Sequence, residues 1–191
     1  MKATDIPVDL RIGKDIMLCA PDMTRLEEMN FLIRKFQRRH HFLDAWALET
    51  DLDYTARFLV QAIDDFESDK KYIFHIVQKD TGKQVGLIGI HPKATIIKYY
   101  HIGYWIGSEH VGRGFATQAV VLARGIAVSL LRPDRLEIVT AQSNIASRRV
   151  AEKAEFTQEC VLTNAIHGAD HNPDNAVVWT YAVPKFPKAV T

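Results

Sequence analysis

Residues 104–117 read Tyr104-Trp105-Ile106-Gly107-Ser108-Glu109-His110-Val111-Gly112-Arg113-Gly114-Phe115-Ala116-Thr117. An aromatic and β-branched strand leads into a pair of glycines and then into a long apolar helix. Gly112 and Gly114 have no Cβ, so the backbone can approach a ligand closely. The free N–H groups at the start of the helix can then bind an anion. The stretch predicts a phosphate-binding loop between a strand and a helix.

Two familiar phosphate loops fit the spacing poorly. A P-loop requires Gly-Lys-Ser/Thr, whereas Gly114 is followed by Phe115-Ala116. The dinucleotide fingerprint requires a third Gly or Ala where this chain has Thr117. On this stretch alone, a tight strand-to-helix connection without a ligand remains an alternative.

A second motif follows the long helix. Arg132-Pro133 predicts the end of that helix, residues 135–140 alternate as a β-strand does, and residues 144–156 have the pattern of a short capped helix. Asn144 and Ser147 suit the first turn of any helix as capping residues. Their spacing after the strand also favours a functional role.

The four motifs together resemble the GNAT acetyltransferases, and within that superfamily they are most similar to the ribosomal-protein N-terminal acetyltransferases of the Rim type. The motifs are Ile-Gly-Tyr-Trp-Ile (102–106), Gly-Arg-Gly-Phe-Ala-Thr (112–117), Asn-Ile-Ala-Ser (144–147) and Glu-Lys-Ala-Glu-Phe (152–156). The match covers roughly residues 99 to 162 and departs from the superfamily pattern at Val111 and Glu155. Thr163 and Ile166 stand where relatives often carry basic and acidic side chains, which leaves the general base open.

The resemblance implies one GNAT domain over residues 1–191. This is a mixed α/β fold with a mostly antiparallel sheet of about seven strands, helices on both faces and a splayed strand pair at the cofactor site. The residue patterns independently predict the order β-α-α-β-β-β-α-β-α-β-β. The predicted strands are 16–19, 72–77, 85–90, 99–106, 135–140 and one near 177–183. A helix opens at Pro21-Asp22, and another runs from a capping box at 50–53 to about 68. We expect that helix to bury Ala56, Leu59, Val60 and Ile63.

The resemblance also implies acetyl-CoA as cosubstrate, with pantetheine filling the splay and a backbone N–H near Ile106 polarising the thioester carbonyl. Ser147 is the candidate residue to protonate the coenzyme A thiolate or to hold the water that does. The expected cofactor-binding residues are Ile106, Val111, Gly112, Arg113, Gly114, Phe115, Ala116, Thr117 and Asn144. Tyr104 and Trp105 are interpreted as packing residues. The side chains of His101 and Glu137 could face either the cleft or the solvent.

The acceptor is an amine whose identity the sequence does not name. We favour a protein N-terminus, with a small amine such as a polyamine, an amino acid or an antibiotic as the second hypothesis. A non-catalytic acyl-CoA-binding protein is the third. Core packing is the simpler explanation of Asp44 and Trp46, but in similar proteins the connection that holds them borders the acceptor site, so both are also candidates for substrate contact. The pairs His40-His41 and His167-x-x-x-His171 are interpreted as surface residues, so no metal site is expected.

Composition limits the alternatives. The chain has 191 residues, 47% hydrophobic content and a formal net charge of +1, which gives no reason to expect a nucleic-acid partner. Cys19 and Cys160 lie in apolar strand patterns, so we expect buried thiols, a reducing compartment and hence a cytoplasmic protein. The pattern indicates no signal segment or membrane anchor. A monomer and a homodimer both remain open.

Overall fold

The computed structural model describes residues 6–37, 51–94, 96–168 and 172–185. Its longer elements are, in chain order, α1 Val8–Arg11, β1 Ile16–Cys19, α2 Leu26–Gln37, α3 Leu52–Glu67, β2 Tyr72–Gln78, β3 Gln84–Ala94, β4 Tyr99–Ile106, α4 Phe115–Ile126, β5 Arg135–Ala141, α5 Ile145–Lys153, β6 Thr157–His167 and β7 Pro173–Tyr181. Short 3-10 turns, Met23–Arg25 and Ser108–His110, precede α2 and follow β4, and a π-helical turn, Ala127–Leu131, extends α4. Apart from α1, this is the order that the sequence predicts.

The seven strands form one sheet in the order β1-β2-β3-β4-β5-β7-β6, which is antiparallel except between β4 and β5. Side chains alternate between two apolar cores. One core joins the sheet to α4 and α5 and includes Ile102 and Val120, and the other joins it to α2 and α3 and includes Leu59 and Trp105. The predicted mixed, mostly antiparallel sheet with helices on both faces is confirmed.

β4 and β5 pair over three residues only. Tyr99, Tyr100 and His101 lie opposite Arg135, Leu136 and Glu137. Beyond this point β4 continues beside β3, while β5 continues beside β7. The strands therefore open into a gap toward their carboxyl ends, which is the predicted splay.

The buried face of α3 differs from the sequence prediction. Asp51 caps this helix by accepting a hydrogen bond from the Tyr54 N–H at 2.6 Å. The buried residues are Thr55, Leu59, Ala62 and Phe66. Of the predicted stripe, Leu59 is confirmed, Ala56 and Ile63 are only half-buried, and Val60 is wrong. The Asn30 amide donates to the Thr55 hydroxyl at 2.9 Å, and this hydrogen bond turns a polar residue inward. Val60 is consequently 58% exposed.

The two cysteines also differ from expectation. Cys19 is half-buried, but Cys160 is exposed because β6 is an edge strand with solvent on much of its surface. The prediction of two buried thiols is therefore wrong. Within the described ranges, no helix has the length and apolar character needed to cross a membrane.

Candidate active site

The glycine loop opens α4 through two left-handed residues. Gly112 has φ +76° and Gly114, the N-cap of α4, has φ +78°. L side chains rarely adopt these angles, and a Cβ built on either glycine would point into open space. The loop thus leaves room for a ligand in front of the helix N-terminus, where the first N–H groups have no partner within the helix.

A cleft of about 470 Å³ lies between the end of β4, this loop and the start of α5. Ser147 lines it together with most of the predicted cofactor residues, namely Ile106, Val111, Gly112, Gly114, Phe115, Ala116, Thr117 and Asn144. Residues from three elements and some 40 positions of sequence therefore meet around one space. The fold brings the predicted set together.

The side chain of Arg113 turns away from the cleft. Its guanidinium lies 4.6 Å from the centre of the Phe115 ring, and its Nη1 is 3.5 Å from Gln78 Oε1. Arg113 can therefore contribute its backbone N–H to the loop, but its charge lies on the outer side. The cations that line the cleft are Arg149 and Lys153, which the sequence analysis did not select.

These features fit a diphosphate. Two left-handed glycines leave space at the backbone, a helix N-terminus supplies free N–H groups with a favourable dipole, and two cationic side chains stand on the facing helix. Apolar groups line the remainder, including Ile106 and Phe115. The cleft can accommodate a long ligand that is anionic at one end and neutral at the other.

Asn144 and Ser147 have different structural roles. Asn144 is the N-cap of α5, and its Oδ1 accepts a hydrogen bond from the Ser147 N–H at 3.1 Å. The capping role of Asn144 is thus evident. The Ser147 side chain takes no part in that cap, because only its backbone is used.

The Ser147 hydroxyl instead meets Tyr104. The two hydroxyl oxygens are 2.8 Å apart, and Tyr104 Oη also lies 3.2 Å from the Ser147 carbonyl oxygen. Burial raises the pKa of Tyr104 to about 12, so its hydroxyl keeps its proton at neutral pH. This hydrogen-bonded pair links β4 to α5 across the cleft.

Tyr104 packs against the core, as the sequence analysis expected, and it also lines the cleft, which the sequence analysis did not predict. The sequence does indicate which way the Tyr104 side chain points. Side chains alternate along a strand, so Ile102, Tyr104 and Ile106 share the face of β4 that meets α4 and α5. The partner, Ser147, lies 43 positions further along the chain. Spacing alone could not connect them.

His101 and Glu137, whose surroundings the sequence left open, lie at the closed end of the gap between β4 and β5. Glu137 is 2% exposed, and its carboxylate is 3.2 Å from Lys93 Nζ and 3.4 Å from Arg135 Nη2. His101 Nδ1 lies 3.9 Å from Glu137 Oε1. Neither side chain is a solvated surface group.

Several predicted residues lie outside the described ranges. These are Asp44, Trp46, His40, His41 and His171. In the part of the chain that the structure describes, no three His, Cys, Asp or Glu side chains are grouped so that they could hold a metal ion. Thr163 and Ile166 both lie on the edge strand β6.

Comparison with known proteins adds a family to this geometry. The family model of the acetyltransferase (GNAT) domain matches residues 20–157. The probable N-acetyltransferase YjcK of Bacillus subtilis is 28% identical over 152 residues, which cover 77% of this chain and 83% of YjcK.

Two solved structures share the fold. RimL, the ribosomal L7/L12 alpha-N-protein acetyltransferase solved with coenzyme A, has a TM-score of 0.81 at 19% identity, covering 92% of this chain and 96% of its own. MccE, a microcin C7 self immunity acetyltransferase solved with acetyl-CoA and AMP, has a TM-score of 0.78 at 24% identity, covering 88% and 93%. At such identities the likeness establishes the fold.

Proposed function

The chain belongs to the GNAT acetyltransferase family, and we propose that its acceptor is the α-amine at the N-terminus of a protein, such as a ribosomal protein. It is an N-acetyltransferase, and its acetyl donor is acetyl-CoA. The observation that carries the proposed acceptor is the likeness to RimL, which extends over 92% of this chain. The chemistry of the described site is compatible with that acceptor.

The proposed donor site is the cleft beside α4. The N–H groups of residues 111–117 would bind the diphosphate, and Arg149 and Lys153 would add positive charge. Pantetheine would lie in the gap between β4 and β5, where the facing strand edges offer backbone hydrogen bonds. A backbone N–H near Ile106 would polarise the thioester carbonyl. Acetyl-CoA supplies the activated acyl group.

Departure of the thiolate requires a proton, and the hydroxyl pair can provide it. Tyr104 remains protonated at neutral pH. When it donates its hydrogen bond to Ser147 Oγ, the Ser147 proton is free to point toward the sulfur. The C–N bond forms and the C–S bond breaks, and the sulfur takes the Ser147 proton and leaves as a thiol. The nitrogen loses a proton to water as the amide forms, and Ser147 regains one from water. Ser147 is therefore the proposed acid, and Tyr104 its orienting partner.

The acceptor sets a modest demand on the base. A peptide α-amine has a pKa of about 8, so roughly a tenth of it is neutral at pH 7. A weak base, or water, can remove the ammonium proton from the fraction of the amine that is still charged. A polyamine or lysine amine, with a pKa above about 10, would demand more from the site.

A small-amine acceptor is the second candidate, because a chimera of the spermidine N-acetyltransferase SpeG from Vibrio cholerae shares the fold over 87% of this chain. Thiol release from acetyl-CoA, measured across peptides with free N-termini, N-blocked peptides and small amines, separates the candidates. We expect free-N-terminal peptides to react and their N-blocked controls to be inert. Reaction with spermidine or amino acids alone would instead support the second candidate.

A non-catalytic protein would bind the donor without turnover. Acetyl-CoA at 100 times its dissociation constant should stabilise the folded state by about 2.7 kcal/mol, which a melting curve detects. Stabilisation without thiol release from any amine would contradict the enzymatic proposal. Absence of stabilisation at millimolar acetyl-CoA, in a folded protein, would contradict the donor site itself.

A further inference from the structure

One glycine of β4, beside the gap, is not explained by the fold. Gly103 lies inside the strand, directly opposite Gly89 of β3, and the ladder between the two strands is regular at this point. Its backbone angle does not require glycine, because the positive φ angles among the described glycines belong to Gly82, Gly112 and Gly114. Glycine weakens the interior of a strand, and there it often marks a place where a ligand approaches the backbone.

The facing glycine, Gly89, is explained by packing. A Cβ on Gly89 would lie 2.3 Å from His91 Nε2, which is too close, so the His91 ring requires that space. The nearest described atoms to a Cβ on Gly103 would instead be His101 Nε2 at 3.5 Å and, at 3.8 Å, His101 Cδ2 and His91 Nε2, and these are ordinary contacts. Gly103 is also only half-buried. A space of about the size of a methyl group is therefore open above Gly103.

The position of Gly103 in the sheet places this space beside the gap. β4 and β5 pair last at His101 and Glu137, and Gly103 lies two residues further along β4. The corresponding residue of β5, two residues beyond Glu137, is Val139, which is half-buried. Because side chains alternate along strands, both residues lie on the face that carries Trp105, which is the face covered by α2 and α3. On this face the gap is thus bordered by a glycine and by an apolar side chain.

The hydroxyl pair lies on the opposite face. Tyr104 follows Gly103 in β4, packs against the core of α4 and α5, and meets the Ser147 hydroxyl at 2.8 Å. As the proposed acid, Ser147 would approach the thioester sulfur from that face. The acyl group is bonded to the sulfur and would extend away from the hydroxyl, toward the face of Gly103.

We propose that the acyl group of the donor occupies the space over Gly103, and that this glycine limits which acyl chains the enzyme transfers. The inference rests on the proposed function. The acyl group that fits is short and uncharged, because Gly103 contributes only backbone and Val139 contributes an apolar side chain. Burial lowers the pKa of His91 to about 4, so this imidazole is neutral at pH 7 and presents no charge to the acyl group. Acetyl and propionyl groups meet this description.

The test is Gly103→Ala, which places a methyl group in the proposed acyl site. The fold accommodates this Cβ at ordinary contact distances, and alanine suits a strand interior better than glycine, so the melting temperature should stay the same or rise. Dissociation constants are measured for coenzyme A, acetyl-CoA and propionyl-CoA without any acceptor. We expect coenzyme A to bind as it does to wild type. Acetyl-CoA should bind roughly 10- to 200-fold more weakly, the range for one misplaced methyl group, and propionyl-CoA should lose at least as much.

Gly125→Ala is the matched control, because it makes the same change near the far end of α4. There the nearest described atom, Leu10 Cδ2, would lie 4.0 Å from the new Cβ. This variant should bind all three ligands as wild type does. With any amine that the wild type accepts, kcat/KM for acetyl-CoA should fall in Gly103→Ala by about the same factor as the affinity, and it should not fall in Gly125→Ala.

Equal weakening of all three ligands would show that the pantetheine arm, rather than the acyl group, approaches Gly103, and that result or unchanged affinities would overturn the proposal. A higher KM for the amine with unchanged affinity for acetyl-CoA would place the acceptor there instead and would also overturn it. The binding measurements need no acceptor, so a different acceptor class refutes only the proposed acceptor. Failure of the folded wild type to bind coenzyme A would refute the donor site and this inference together.

Discussion

Two hydroxyl groups carry most of the chemistry assigned to the donor side of the site. The Ser147 side chain is not needed to cap α5, since Asn144 performs that task through the Ser147 backbone N–H. Its hydroxyl is therefore committed to Tyr104 alone among the described contacts. Catalytic and structural effects at this position can consequently be separated.

Replacing Ser147 with Ala should lower turnover by about 10- to 10⁴-fold, because the thiolate loses its proton donor. Stability should fall by no more than about 1 kcal/mol, the value of one hydrogen bond, and acetyl-CoA affinity should be retained. Turnover, affinity and melting are measured on the same variant. Full activity would exclude Ser147 as the acid.

Tyr104→Phe removes only the orienting hydroxyl, so we expect a smaller loss of turnover than in Ser147→Ala. The double variant should be no slower than Ser147→Ala, because both hydroxyls act in one step. Tyr100→Phe is the matched control, since Tyr100 lies on the same strand and packs against the same core. Additive losses in the double variant would show that the hydroxyls act independently.

Among the elements, α5 ends in a way that its sequence makes unfavourable. Glu155 adopts φ +63°, a left-handed backbone angle that residues with a side chain rarely adopt. Arg124 of α4 holds this end by donating to the Ala154 carbonyl at 2.8 Å and by pairing with the Glu155 carboxylate. The unfavourable backbone angle of Glu155 thus occurs next to the contact that Arg124 makes between α4 and the end of α5.

Glu155→Gly should stabilise the protein by a few tenths to about 1 kcal/mol. Glycine adopts this angle without strain, whereas the ion pair that is lost involves a largely exposed carboxylate and contributes little. Urea denaturation measures the difference. Glu152→Gly, at an exposed position inside α5, is the control and should destabilise by about 1 kcal/mol. Destabilisation by Glu155→Gly would show that the Arg124 contact outweighs the backbone strain.

For the molecule as a whole, His75 predicts a loss of stability in acid. It is fully buried, its Nε2 accepts the Asp22 N–H at 3.2 Å, and burial together with Arg25 lowers its pKa to about 4. Above pH 6.5 the residue is neutral both folded and unfolded. Between pH 6.5 and 4 only the unfolded chain gains the proton, so the free energy of unfolding falls.

The loss from this group should reach about 3 kcal/mol near pH 4 and should not increase further below it. Urea denaturation at pH 7.5, 6, 5 and 4.5 measures it. His75→Gln should be less stable at pH 7.5 but should lose less on acidification, while His167→Gln should follow wild type. An equal acid loss in His75→Gln would assign the effect to other groups.

Much of this architecture is encoded locally, and the exceptions are tertiary. Alternation and β-branching predicted β1 and β4 at the bounds observed, and the glycine loop and the capped helix were found from spacing. The α3 stripe was wrong at Val60 because the Thr55 hydroxyl finds Asn30 on another helix. The packing of Tyr104 was predicted, but its hydrogen bond was not, since its partner is an atom of α5. Local patterns do not contain such pairings.

The brief contact between β4 and β5 gives the sheet an internal seam. Beyond His101 the edge of β4 that faces β5 has no strand beside it, so its amides should exchange hydrogen with solvent faster than those of β2 and β3. A bound pantetheine arm would fill the seam and slow that exchange. The sheet would then be complete only when the donor is present, and occupancy would determine how rigidly its two portions, β1–β4 and β5–β7, are joined.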